Sequence, residues 1–199
     1  MRDAGIGRVL VASLHQGIAD ILPTRLGFYE NWLSVGGLHR GTIGLAPLYA
    51  VLSFLRQEGN AYEMITTRAG EYAAEWTVES LSASERAAIR MAPRWLRSRM
   101  LLRLARQLVR STYPGSRAIA RVRGGSARID LRASVFCSVR EPVSHPLCGF
   151  YAAAFTRLMV LFNIGARTEV IACRGTGESS CIFQVALPDE TPGAQPRAT

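Results

Sequence analysis

Four cysteines, Cys137, Cys148, Cys173 and Cys181, are the only thiols of the chain, and all fall in its last third. Thiolates are good ligands for zinc, which takes them at about 2.3 Å in a tetrahedron with sulfurs roughly 3.7 Å apart. Cys173 and Cys181 flank the loop Arg-Gly-Thr-Gly-Glu-Ser-Ser, so two paired strands bring them close. Cys148 opens an apolar helical stretch, and Cys137 sits near the end of the strand before it. A helix packed on that sheet brings three or four sulfurs together. The competing reading is four small hydrophobes in a core, because free cysteine is among the most buried residue types. The C-x7-C spacing is looser than the usual zinc knuckle and leaves both readings open.

The second chemical signal is charge. Lys+Arg total 24 against 15 acids, for a net +9, and every basic residue is arginine. The lack of lysine excludes a P-loop lysine and a Schiff-base lysine. With only His15, His39 and His145 present, a multi-histidine metal site is nearly excluded as well. Between Arg86 and Ile129 lie twelve arginines and no acid. Arg99, Arg103, Arg106 and Arg110 form one helical stripe, opposite Leu101, Leu104, Ala105 and Leu108. The plain reading is a solvated helix face. The functional reading is a surface for an anionic partner or a peripheral membrane, since arginine forks grip carboxylate and phosphate. Nucleic acid is disfavoured, because no recognition motif accompanies the charge.

The elements that position these residues follow from periodicity. Helices are expected over Val9–Ile21, Leu45–Arg56, Ala61–Leu81 and Trp95–Ser111, with a short apolar segment at Phe28–Leu33. Ser82 and Glu85 match a capping box. After residue 115 the period changes to two. Arg117–Arg123 and Ala127–Val139 read as a hairpin around Gly124-Gly125, Leu147–Asn163 as a buried helix, and Thr168–Cys173 with Cys181–Leu187 as a second hairpin. The expected fold is α+β: a helical part over 1–115, a β-β-α-β-β part over 116–188 with an antiparallel four-stranded sheet, and a disordered polar tail over 189–199. No uncharged run exceeds fifteen residues, so no bilayer-spanning helix is expected, and a secretory signal is not expected either. A cytoplasmic protein with reduced thiols is the expectation.

The stretch from Cys148-Gly-Phe-Tyr through Glu169-Val-Ile-Ala-Cys173-Arg-Gly-Thr-Gly-Glu-Ser-Ser-Cys181-Ile-Phe-Gln-Val resembles the 4-vinyl reductase domain. That family includes a bacteriochlorophyll-pathway protein and the sensor regions of phenol-responsive activators, and is akin to TRAPP subunits and the nitric-oxide-sensing haem fold. The resemblance covers residues 137–187. It implies zinc beside a hydrophobic ligand pocket. The family's three cysteines carry over onto Cys148, Cys173 and Cys181. Its glutamate does not, since the E-x-x-C spacing falls on Val170 and Glu169 lies one residue early, which in a strand turns a side chain to the other face. The fourth ligand is then Cys137, the preferred choice, or Glu169 through a bulge, or His145. By the same resemblance, Phe150, Tyr151, Phe155, Met159 and Phe162 are candidate ligand contacts, although at helical spacing such a stripe reads first as core.

The expected function is a zinc-stabilised module binding an apolar aromatic or tetrapyrrole molecule, as sensor, carrier or accessory factor. The alternatives are a vinyl reductase of (bacterio)chlorophyll synthesis and a TRAPP-like interaction subunit, as a homodimer or with another protein. No G-x-G-x-x-G fingerprint follows a strand, so no nucleotide cofactor is expected. A four-ligand zinc site would be structural rather than catalytic.

Overall fold

Glycine decides how closely the helices approach. In the computed structural model, which describes residues 6–33, 44–123 and 125–187, α1 (Arg8–Ile21) lies against α4 (Asn60–Glu79), and α4 lies against α7 (Gly149–Leu161). A Cβ on Gly17 would stand 2.8 Å from the carbonyl oxygen of Ile65, and one on Gly70 would stand 2.2 Å from that of Phe150. Both glycines are therefore required by close backbone approach, not by turn geometry.

Around this stack lie α2 (Leu26–Glu30), α3 (Leu45–Gln57), α5 (Ala83–Met91) and α6 (Arg94–Thr112). The four long expected helices form, with ends shifted by one or two residues. The capping box is also present: Ser82 Oγ accepts from the Glu85 N–H at 3.2 Å, while the Glu85 carboxylate accepts from the Ser82 N–H at 2.8 Å. Gly124, His39 and residues 189–199 lie outside the described residues.

The sheet follows: β1 (Arg117–Arg123), β2 (Ser126–Arg132), β3 (Arg167–Ala172) and β4 (Cys181–Ala186), all antiparallel in the order β1-β2-β4-β3. Its inner face presents Ala127, Ile129, Leu131, Phe183 and Val185, all buried, and α7 covers it with Tyr151 and Phe155 edge-on to Phe183. The outer face carries Arg121 directly opposite Arg128, and Glu169 opposite Gln184. One apolar cluster runs from Ile6 to Val185 and joins the helices to the sheet.

One boundary differs from the sequence reading in a way that matters. The second strand does not continue to Val139. It stops at Arg132, Ala133 takes a left-handed φ of 58°, and Val135–Cys137 form a 3-10 turn. Ser116 donates its hydroxyl to the Ala133 carbonyl at 2.7 Å and pins this reversal. Positive φ is strained for a residue with a Cβ, so alternation alone gave no warning of it. Among the described residues, no helix is long and apolar enough to cross a membrane.

Candidate metal centre

Each cysteine reaches the site from a different kind of element. Cys137 ends the 3-10 turn after β2, Cys148 is the N-cap of α7, Cys173 follows β3, and Cys181 opens β4. Cys173 depends on an irregularity in β3. Thr168 and Val170 pair with Val185 and Phe183 and so face inward, while Glu169 pairs with Gln184 on the outer face. Strict alternation would put Cys173 on the face of Glu169. A bulge between Val170 and Ala172 resets the phase, and Cys173 turns inward to 1% exposure. The bulge that delivers Cys173 thus does not deliver Glu169.

The four sulfurs lie within 4.8 Å of one another, all in buried residues. Cys137 Sγ stands 3.4 Å from Cys173 Sγ and 3.5 Å from Cys181 Sγ, and Cys148 Sγ stands 3.2 Å from Cys173 Sγ. These three spacings lie slightly inside the roughly 3.7 Å of a tetrahedral thiolate shell. They are also much longer than a disulfide bond, and all four cysteines are free. Backbone donors converge as well: Leu147 N–H points to Cys173 Sγ at 3.4 Å and Arg174 N–H to Cys181 Sγ at 3.5 Å. Such donors stabilise thiolate charge. Tyr62 donates its hydroxyl to the Leu147 carbonyl at 3.0 Å, fixing the segment that carries Cys148.

Protonation bears on what the four thiols can hold. The surrounding thiols of Cys137, Cys148 and Cys181 hold Cys173 well below the usual thiol range, helped by the Leu147 N–H. The Cys148 thiol is pushed far up, by its hydrogen bonding to Cys137 first, then to Cys173 and Cys181, and by burial. Four thiols at this separation can share a negative charge but cannot all carry one, because buried like charges raise one another's pKa. A divalent cation would remove that conflict and allow every sulfur to ionise. The residues present therefore fit a metal ion of thiolate preference.

The four-sulfur group contains neither Glu169 nor His145. Glu169 is exposed on the outer sheet face, and exposed His145 has its Nδ1 3.5 Å from the Ser144 hydroxyl. The candidate ligand contacts Phe150, Tyr151, Phe155, Met159 and Phe162 are at most 1% exposed. They form the aromatic core between α7 and the sheet, with Phe150 stacked on Phe136 at 4.8 Å between ring centroids. Tyr151, its hydroxyl 3.2 Å from that of Thr112, has its pKa pushed up to about 12 by burial.

Open space lies on the other side of α7. A cleft of about 810 Å³ runs between α4, α7 and β3, beside the loop that leads to Cys148. Thr66, Thr67, Thr156 and Thr168 line it with hydroxyls, and Arg56, Arg157, Arg167 and His145 stand around it together with Glu63 and Glu71. Thr168 Oγ1 and Arg56 Nε are buried there without a hydrogen-bond partner. None of the five aromatic-helix residues lines this cleft. Sequence periodicity marked only the apolar face of α7, whereas Gly149, Ala152, Ala153 and Thr156 make the cleft by being small. His15, away from this site, meets Glu30 at 2.8 Å.

The chain matches no family model and no curated protein. Four buried sulfurs at metal-binding distance, on an α+β frame of helices and a four-stranded antiparallel sheet, are what the molecule itself supplies.

Proposed function

We propose that the protein is a zinc-stabilised small-molecule-binding module of the 4-vinyl reductase type. The observation that carries this reading is the convergence of Cys137, Cys148, Cys173 and Cys181 from four separate elements on one buried point. Zinc suits an all-thiolate shell of this kind, and its four protein ligands would leave no open position for substrate, so its role is structural. It would tie the turn after β2, the start of α7 and the β3–β4 hairpin into one unit.

The ligand reading shifts from the aromatic core to the cleft. Its volume is that of a small-molecule site, and its mixed lining suits a largely apolar body bearing a carboxylate. Arg167 offers a guanidinium without an ion pair among the described residues, and Thr168 Oγ1 an unpaired hydroxyl. Aromatic acids and tetrapyrroles with carboxylate side chains have that chemistry.

Two measurements test the pair of claims separately. Metal analysis of purified protein should return one zinc per chain, lost in the Cys173→Ser/Cys181→Ser double variant; no bound metal would end the zinc reading. Titration with a free-base porphyrin dicarboxylate, followed by absorbance, should saturate at one per chain. Arg167→Glu should weaken it about tenfold, as expected for loss of a charge-assisted contact. Absence of saturable binding would end the ligand reading while leaving the metal centre standing. Turnover of a vinyl tetrapyrrole with NADPH would replace the binding module with an enzyme.

A further inference from the structure

The junction of α5 and α6 is unlike the rest of the helical surface. Helix α5 buries a single side chain, Ile89, and leaves Ala83, Ala87 and Ala88 exposed. Met91, at its end, is 85% exposed, and Trp95, on the first turn of α6, is 58% exposed. An apolar groove beside them is lined by Val78, Ala83, Ala87 and Met91, with Arg86 and Arg90 among its borders. Methionine and tryptophan this exposed, four residues apart in the chain, are costly in a free protein, and apolar exposure of this kind marks an interaction surface.

The corner is held in place. Pro93 separates the two helices, and Arg97 donates to the carbonyls of Arg90 at 2.6 Å, Ala92 at 3.0 Å and Phe162 at 3.4 Å. This binds the exposed junction to the end of α7, so Met91 and Trp95 are presented by a fixed platform. Trp95 also begins a stripe. Residues 95, 99, 103, 106 and 110 fall within one 80° arc of an α-helix, and all five are exposed. The Arg99 guanidinium lies 5.5 Å from the Trp95 ring centroid. None of Arg99, Arg103, Arg106 and Arg110 forms an ion pair among the described residues.

We propose that this face, from Met91 along the Trp95–Arg110 stripe, seats on the surface of an anionic lipid bilayer. An interfacial helix places tryptophan at headgroup depth, an apolar side chain just below it, and arginines along the phosphates. Here the apolar anchor stands at one end and four cations extend over about 17 Å of helix, at 1.5 Å per residue. A planar array of phosphates can meet that whole line at once. Each arginine near such a surface adds an increment of binding, and the increments weaken with salt. The inference is independent of the metal and the cleft, neither of which it uses.

The test is flotation of the full chain with vesicles of phosphatidylcholine alone or mixed with phosphatidylglycerol, paired with tryptophan emission. The chain should float with the phosphatidylglycerol vesicles, with a blue-shifted emission that disappears in Trp95→Phe, because Trp32 and Trp76 would remain outside the lipid. Arg99→Glu/Arg103→Glu should lower partitioning at least tenfold, and Met91→Ser several-fold, with circular dichroism and metal content unchanged. Three results overturn the proposal. These are no binding to anionic vesicles at low salt, binding indifferent to the charge reversals, or an unshifted Trp95 with equally tight binding to duplex DNA, which marks a polyanion surface instead.

Discussion

The helical stack and the sulfur centre are held together by opposite means. Where α1, α4 and α7 meet, the chain is complete in itself: Gly17 and Gly70 allow backbone contact, and Leu14, Ile18, Ile65 and Ala69 fill the space between. Nothing needs to be added. Where the turn after β2 meets α7 and the β3–β4 hairpin, the chain brings four thiols to one buried point and gives them few partners but one another. The comparison teaches that the fold's first part rests on apolar burial and close approach, whereas its last part gathers four buried sulfurs in a geometry compatible with a metal ion.

The largest expected effect breaks the second region. Cys173→Ser should abolish metal binding and destabilise the folded chain by on the order of 5 kcal/mol or more, since metal free energy at such sites is folding free energy. Urea unfolding with and without a chelator measures both. Acid should mimic the variant: metal binding needs four thiolates, so protons compete, and the stabilisation present at neutral pH is lost as pH falls. Midpoints that do not move with chelator would erase the contrast.

The next effect breaks the first region while sparing the second. Gly70→Ala forces a Cβ to 2.2 Å from the Phe150 carbonyl oxygen, and backbone on both sides has to shift. A loss of about 3 kcal/mol is expected, with metal stoichiometry per folded chain unchanged. A smaller effect tests the seam between the regions. Tyr151→Phe removes the hydroxyl contact to Thr112 and should cost about 1 kcal/mol. Equal sensitivity of metal affinity to Gly70→Ala and Cys173→Ser would show the two regions to be one mechanism.

Sequence periodicity was enough for the long helices and both hairpins, because burial on one face leaves a period of 3.6 or 2 in the residues. The convergence of the sulfurs was legible for a related reason: two cysteines at a hairpin neck and one at a helix start have few places to go. Two features were not legible. The left-handed turn at Ala133 depends on a distant Ser116 hydroxyl, and alternation simply carried β2 past it. The bulge at Ile171 inverts the facing of everything after it, so Glu169 and Cys173, on one face by counting, end on opposite sides of the sheet. The cleft was hidden because it is made by absence of bulk at Gly149, Ala152 and Ala153 rather than by any marked residue.

The most direct measurement of the central claim is thiol titration of native protein alongside metal analysis. The account predicts one metal ion per chain and four thiols that stay unreactive until a chelator is added, after which all four react and one metal is released. Protein that contains no metal, and whose four cysteines react at the same rate with or without chelator, would contradict it.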